Sequence, residues 1–551
     1  MITMTLSIAL PARTALTFMV AATVAAADAT TASTTLHDRW VYCPTNLQVD
    51  ANADTLIALI QRSAKAGYNG VLVSDTKFGF LGKVIPEYFK NAARVKQAAA
   101  DAHVEIIPEV FPIGYSDSLL ENDPNLVEAL PIRDDVFVVQ GGEARPDPAD
   151  APVLKGGAPL TFAGWDWHDP TTVTVDPGGG VKMEPRGNNA RIVQKIAVLP
   201  FHQYHLAVKV KTVGFQGTPQ ITVLAGDMQL NYANLGVPGD QDWTIHHAVF
   251  NSLDHTEIML YLGCWDGRAG SLWWDDVHLE DAGLVNIVRR DGAPLTVTAA
   301  DGKKLDEGRD FTAVSDPRMG VIPWPGGYEV WHPAPTIHTS LPDGTKITVS
   351  AYHAITVYDG QVMICPSEPK TIALLKDQAT RVKKLWDART FFMAHDEIRV
   401  LGWDESCTKR KLTPGQILAD NLRTCTKILR DLNPGGRIVV WSDMFDPNHN
   451  AHDHYFLVNG DLAHSWDGLD KDVIVALWNF DKRKESAEFF AKRGNPLLIA
   501  GYYDADPAQI KTWLQATDSV GGAEGVMYTT WANKYDDLEK FAGFLPPAPG
   551  R

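Results

Sequence analysis

Cysteine is scarce: Cys43, Cys264, Cys365, Cys407 and Cys425 are the five in 551 residues. So few cannot frame a chain of this length with disulfides, and no Cys-x-x-Cys pair offers a closed zinc site. Most read as buried thiols, with a Cys407–Cys425 bridge the pairing left open in an oxidising compartment. Positive charge is also short. There are 50 Lys plus Arg against 67 Asp plus Glu, a net charge of −17, and the chain has no basic tract. Nucleic acid and anionic membrane both demand clustered Lys and Arg, so neither is the expected partner, and a neutral or weakly charged ligand fits better. Beyond the N-terminus no apolar run reaches the roughly 18 residues of a membrane span. No Gly-rich phosphate loop stands between a strand and a helix either, since Gly178, Gly179 and Gly180 fall in a β-rich stretch and read as a turn. No cofactor and no metal is implied.

What is present is globular, 45% hydrophobic and 9% aromatic. At about 100–200 residues per domain the length allows two to four domains, though a barrel of about 250 counts as one. The opening residues carry one Arg, an apolar stretch from Ala15 to Ala27, and small residues just before Asp28. This reads as an export signal over 1–27, too short to span comfortably, and implies a secreted or periplasmic protein without membrane insertion.

Between residues 38 and 131 apolar, β-rich runs (RWVYCPTN, GVLVSD, HVEIIPEVFP) alternate with helices of i, i+3, i+4 periodicity. That is the rhythm of a parallel α/β sheet. It stops, and 150–285 becomes rich in Gly, Pro, Thr and Val with short alternating runs (YHLAVKVKTV, PQITVLAG, TEIMLYLG, SLWWDDVHLE), the pattern of an antiparallel β-sandwich. Residues 286–366 read as a β-rich connecting segment. The α/β rhythm returns over 367–551 with five more strands. Three strands before and five after make eight, and the two flanking pieces together have the size of a (β/α)8 TIM barrel. The middle is expected as an insertion after strand 3, overhanging the face where such barrels do chemistry.

At the C-terminal ends of the strands stand Tyr42, Thr45 and Asn46 (strand 1), Asp75 (strand 2), Glu109 (strand 3), His395, Asp396 and Glu397 (strand 4), and Trp441 and Asp443 (strand 5). Trp478 and Asn479 follow on strand 6, Tyr502 and Asp504 on strand 7, and Trp531 and Asn533 on strand 8. Carboxylates supply acid and base, and flat rings stack on the C–H faces of sugars. Together they point to glycoside hydrolysis, which needs a proton donor on the leaving oxygen and negative charge near the anomeric carbon. Neighbours on an ideal strand face opposite ways, so the pair Asp396–Glu397 predicts a twisted strand end where both reach the cleft. Like charges held close raise one pKa, which would keep Glu397 protonated as a general acid. His395 is expected either to support these carboxylates or to be a satisfied core histidine. The run from Asn448 to His454, with three His, reads as a polar lid after strand 5 rather than a metal site.

The motif IIPEVFPIGYS on strand 3, Asp-Glu on strand 4, Trp on strands 5 and 6, Tyr-x-Asp on strand 7 and Trp on strand 8 resemble, in that order, glycoside hydrolase family 20, the β-N-acetylhexosaminidases. The resemblance covers the two barrel pieces. It implies substrate-assisted retention, in which the sugar's own 2-acetamido oxygen attacks the anomeric carbon. By resemblance Glu397 is the general acid/base and Asp396 orients the acetamido group. Tyr502 would bond the acetamido oxygen, Trp441, Trp478 and Trp531 would wall the pocket, and Asp504 would bind sugar hydroxyls. Asp75, Glu109, His395, Asp443 and Asn533 join them as expected substrate-binding residues. The chain departs from the family at strand 1, which lacks the sugar-gripping Arg, and at strand 8, where Trp531-Ala532-Asn533 replaces Trp-x-Glu. The small domain ahead of the family's barrel has no room here.

A β-glycosidase acting on non-acetamido sugars would keep Glu397 and take Asp504 or Asp443 as its second carboxylate. A barrel that binds carbohydrate without turnover is the alternative of another class. The inserted segment holds Trp165, Trp167, Trp265, Trp273 and Trp274 and closes on LWWDDVHLED, which resembles the last strand of jelly-roll carbohydrate-binding modules. Those rings contact sugar chains or fill a sandwich core. The expected partner is an oligo- or polysaccharide, as substrate.

Overall fold

The computed structural model describes residues 36–319, 328–358 and 360–547. The expected export signal over 1–27 lies outside them. Eight parallel strands close into a barrel in chain order: β1 (Asp38–Thr45), β2 (Gly70–Asp75), β3 (Glu105–Val110), β4 (Thr390–Met393), β5 (Arg437–Trp441), β6 (Ile474–Leu477), β7 (Leu497–Tyr502) and β8 (Gly525–Thr529). β8 pairs back on β1, Gly525 opposite Asp38 and Tyr528 opposite Val41. Three strands precede the long interruption and five follow, as the sequence predicts.

The helices form where the apolar period demands. In α1 (Asp50–Lys65) the buried residues Ala53, Leu56, Leu59 and Ile60 fall at helical spacing, with Asp50 in the first turn and Arg62 and Lys65 in the last to suit the helix dipole. α4 (Pro414–Leu432) starts on a capping box, Thr413 with Gln416, and Pro414 at its first position. It buries Leu418, Leu422 and Leu429 against the barrel wall. Between them in the chain lie α2 (Pro86–Asp101) and α3 (Pro369–Trp386). No helix among the described residues is long and apolar enough to cross a membrane.

Strand alternation sorts the barrel side chains into two sets. Trp40 and Tyr42 on β1, Ile107 on β3, Phe392 on β4, Val439 and Trp441 on β5, and Leu498 and Ala500 on β7 pack inside the barrel. Their neighbours Val41, Cys43, Ile106, Phe391, Val440 and Ile499 face the helices.

The interruption holds two five-stranded antiparallel sheets. One orders Gln241–Asn251, Gln203–Gln216, Ala269–Asp281, Val181–Met183 and Val173–Val175, and the other Met228–Asn234, Pro219–Ala225, Glu257–Cys264, Ala190–Ala197 and Trp167–His168. Gly179 and Gly180 adopt positive φ in the tight turn before Val181. The fold is therefore an α/β barrel with a β-sandwich inserted after strand 3. The stretch between sandwich and barrel is more regular than its sequence suggests. Strands Thr296–Ala299 and Lys346–His353 join Leu130–Gln140 and Glu143–Pro146 in a six-stranded sheet, so the sandwich rides on a sheet built from chain on both sides of it.

Of the sandwich tryptophans, Trp274 is core and Trp165 is buried. Trp273 donates from Nε1 to Asp176 at 2.7 Å beneath the Lys182 ammonium. Trp167 is exposed, with the Arg191 guanidinium 5.3 Å over its ring.

Candidate active site

The inward set continues past the strand ends into a cavity of about 560 Å³, within the range of about 300–1,000 Å³ usual for small-molecule sites. All eight strand ends contribute to its lining, through Tyr42, Ser74, Glu109, Asp396, Trp441, Trp478, Tyr503 and Trp531. Glu109 forms the floor. It accepts from Trp441 Nε1 at 3.0 Å and from the hydroxyls of Ser74 and Tyr42, and burial still holds its pKa above the ordinary glutamate value. Around the mouth stand three exposed aromatics, Tyr115, Tyr358 and Trp531. Such rings cost hydrophobic exposure and suit a stacking ligand.

Asp396 and Glu397 both line the cavity. Asp396 belongs to the inward set, while Glu397 reaches the same space because its backbone turns left-handed, φ +48. Gly114, two residues beyond Pro112, lies so close that a Cβ there would collide with the Asp396 carbonyl oxygen. That approach brings the next residue, Tyr115, to Glu397, where its hydroxyl donates to Oε2. Arg399 Nη2 pairs with Glu397 Oε1 at 2.8 Å. The guanidinium is itself held between the rings of Tyr358 and Phe456, 4.4 and 4.9 Å from their centroids, and donates to Gln361.

Glu397 thus carries a cation and a hydroxyl on its carboxyl. The carboxyls pushed toward the protonated form are its neighbours. Asp396 is raised well above the carboxylate range by burial and then by the charges of Asp443, Glu109 and Glu397. Asp443 is raised to about 7, chiefly by burial, although it accepts from the Glu397 amide at 2.8 Å, Asn450 Nδ2 at 2.9 Å and Trp478 Nε1 at 3.2 Å.

Five expected site residues are absent from the cavity lining: Asp443, which sits behind Glu397 and Trp478, and Tyr502, Asp504, His395 and Asn533. Tyr502 would continue the inward set after Leu498 and Ala500, but left-handed backbone at Tyr502, Tyr503 and Asp504 (φ +74, +53 and +57) breaks the alternation. Tyr502 consequently stacks on Tyr528, centroids 4.2 Å apart, and bonds Asp537, while Tyr503 turns into the cavity and stacks on Trp478. Asp504 accepts from Thr530 Oγ1 at 2.6 Å and the amides of Trp531 and Ala532 at 2.9 and 3.1 Å, so it clamps the loop after β8. His395 is fully buried against Asn421 of α4 at 3.0 Å, and burial lowers its pKa to about 4. It is the neutral core histidine of the two readings. Asn533 lies on the exposed loop after Trp531 and is absent from the cavity wall. Asp75 borders the cavity, yet its carboxyl is taken up by the amides of Leu47 and Lys77 and the Tyr88 hydroxyl. In the lid after β5, His449 packs edge-on to Trp478 at 4.2 Å.

Tyr115, Tyr358, Arg399 and Tyr503 are the residues that sequence reading passed over. Only Tyr115, in the strand 3 motif, had a pattern around it. Cys407 also neighbours a thiol other than Cys425, the bridge partner that the spacing leaves open. Its sulfur lies 3.7 Å from that of Cys365, whereas Cys425 bonds Asn421 within its own helix.

Fold and cavity together define a (β/α)8 barrel with an acidic, aromatic-walled pocket at the face where such barrels work. No protein-family model matches the chain, and no curated protein sequence matches it. Among solved structures, a glycoside hydrolase family 20 β-N-acetylglucosaminidase aligns with 94% of this chain and 70% of its own, at 9% identity and a TM-score of 0.36. A rhamnosidase from Novosphingobium sp. PP1Y aligns with 94% of this chain and 59% of its own, at 10% identity and a TM-score of 0.32. A family 16 carbohydrate-binding module aligns with 23% of this chain and 97% of its own, at 23% identity and a TM-score of 0.20. Likenesses of this depth carry no functional weight.

Proposed function

We propose that this protein is a glycoside hydrolase that removes a single β-linked sugar from the end of an oligo- or polysaccharide, with 2-acetamido sugars as the leading substrates. The observation that carries the reading is the pocket, walled by aromatic rings from all around the barrel, with the Asp396–Glu397 pair opening into it. A pocket closed by all eight strand ends suits a chain end better than a chain interior. Surroundings support the division of labour: Asp396 sits among Asp443, Glu109 and Glu397, where it would meet the acetamido group of a seated sugar, while Glu397 is a quarter exposed, where the leaving oxygen would lie.

In this reading the two carboxyls act as a dyad holding one proton, resting on Asp396 while Arg399 and Tyr115 fix the Glu397 carboxyl in place. The proton passes through Glu397 to the leaving oxygen as the acetamido oxygen closes on the anomeric carbon. Asp396, now ionised, faces the positive charge of the oxazolinium, and Glu397 then takes a proton from the attacking water. Asp443 modulates the pair from behind. Asp504, clamped under the β8 loop, is a poor candidate for an enzyme nucleophile.

Hydrolysis of chromogenic β-glycosides tests this directly, comparing N-acetylglucosaminide and N-acetylgalactosaminide with glucoside, galactoside and xyloside. Turnover confined to acetamido sugars is expected. Turnover confined to sugars with a free 2-hydroxyl removes substrate assistance and makes Asp443 or Glu109 the second carboxylate to test. Binding without turnover of any of them makes the chain a carbohydrate-binding barrel. Glu397→Gln is expected to lose about 10²–10⁴-fold in kcat, and wild-type rates in that variant would remove Glu397 from the chemistry.

A further inference from the structure

Away from the cavity, four buried side chains meet where the chain leaves the barrel for the insertion and where it returns. Glu128 follows the last turn before the six-stranded sheet, Cys365 lies four residues before the start of α3, and beyond β4 Asp404 caps the short helix Glu405–Thr408 that carries Cys407. One ligand atom from each lies within 4.8 Å of the other three. The two sulfurs are 3.7 Å apart, Cys407 Sγ is 3.3 Å from Glu128 Oε2, and Cys365 Sγ is 3.5 Å from Asp404 Oδ1. We propose that Glu128, Cys365, Asp404 and Cys407 form a structural site for a divalent soft or borderline metal ion, zinc foremost.

The spacing is the first support. A tetrahedral ion about 2.3 Å from sulfur and about 2.0–2.2 Å from oxygen sets its sulfurs about 3.8 Å apart and each sulfur about 3.5 Å from an oxygen. The observed separations match those edges.

The outer contacts are the second support. Glu128 Oε1 is occupied by the amides of Gly402 and Trp403 at 2.9 and 2.8 Å, which leaves Oε2 aimed at the sulfurs. Asp404 Oδ2 is held by Arg290 at 2.6 Å, which leaves Oδ1 aimed the same way while it caps the Cys407 amide. One oxygen of each carboxylate is thus fixed by a partner outside the cluster and the other turned inward, the arrangement by which outer contacts orient metal ligands. Two thiolates and two carboxylates, with Glu368 sharing Arg290, carry five negative charges, of which the ion and the guanidinium balance three.

The consequence is a staple. The Glu128 amide bonds the Met363 carbonyl and the Cys365 amide the Leu126 carbonyl, so the outgoing and returning chains already touch. A metal there ties both to the β4 loop, and with it holds the insertion on the barrel.

The test uses the full chain, reduced and stripped of metal, titrated with Co²⁺. One equivalent is expected to give a sulfur-to-cobalt charge-transfer band and the visible bands of a tetrahedral site, to be displaced by one equivalent of Zn²⁺, and to raise the Tm. Cys365→Ser with Cys407→Ser should abolish the bands. Because that variant is at risk of not folding, thiols are also counted in the unfolded protein as isolated. Five free thiols with bound zinc are the expected result. Three thiols, rising to five on reduction, would mean a Cys365–Cys407 disulfide and overturn the proposal, as would five thiols with no cobalt bands.

Discussion

At the scale of single residues the site is governed by who neighbours whom. Arg399 fixes the Glu397 carboxyl, and Asp443 helps raise the pKa of Asp396. Arg399→Met removes the ion pair at 2.8 Å from Glu397, and kcat is expected to fall. Asp443→Asn removes the largest of the charges that raise Asp396, so the basic limb of the kcat/KM profile is expected to move down. A profile that stays put in Asp443→Asn would take the dyad out of the rate. Asp443 also ties stability to pH. Its folded-state pKa is raised to about 7, so the native state holds a proton that the unfolded chain gives up at much lower pH. Stability from this group is complete below the ordinary carboxylate range and is lost as pH rises through about 7. Asp443→Asn should flatten that fall when Tm is measured across the range.

At the scale of elements, what matters is how each strand ends. Alternation inside the barrel carries Tyr42, Glu109, Asp396, Trp441 and Trp478 to the cavity without further instruction, and those residues were legible in sequence once the eight strands were counted. It fails where the backbone turns left-handed. At β7 that turn exchanges Tyr502 for Tyr503, and a one-residue exchange reverses the face of each. The two tyrosines are therefore expected to behave oppositely. Tyr503→Ala should raise KM with little change in denaturation midpoint, because it removes a cavity wall. Tyr502→Ala should cost about 3–5 kcal/mol, because it empties a buried site stacked on Tyr528, and should leave KM nearly unchanged. Equal effects on KM would mean that the turn does not divide them. At β4 the same device brings Glu397 in beside Asp396, and nothing in a dipeptide announces a positive φ.

At the scale of the whole molecule, barrel and insertion are tied by buried charge. Arg290, beyond the sandwich in the chain, pairs with Glu368 and Asp404, each at 2.6 Å, with its side chain 7% exposed and that of Asp404 fully buried. Removing one partner of such a group strands the others. Arg290→Ala is expected to lose about 3–5 kcal/mol, read as a fall in the midpoint of chemical denaturation, and a loss under about 1 kcal/mol, the size of a surface pair, would show the network to be solvated. The insertion also reaches the active site. Tyr232 of the sandwich stacks on Tyr358, centroids 5.7 Å apart, and Tyr358 covers the guanidinium that pairs with Glu397.

What the sequence determined by itself is the part written in local period. Eight strands, their helices, the place of the sandwich and the inward carboxylates and tryptophans all follow from apolar spacing of two or three to four residues, and each is enforced by burial within its own short stretch. Only the tertiary structure decided the rest. The six-stranded sheet pairs Lys346 with Val138 across more than 200 residues. The cation on Glu397, the exchange of Tyr503 for Tyr502 and the meeting of Cys365 with Cys407 likewise depend on chain turns and on neighbours remote in sequence. Period reports which face a residue presents; it does not report what another segment brings to that face.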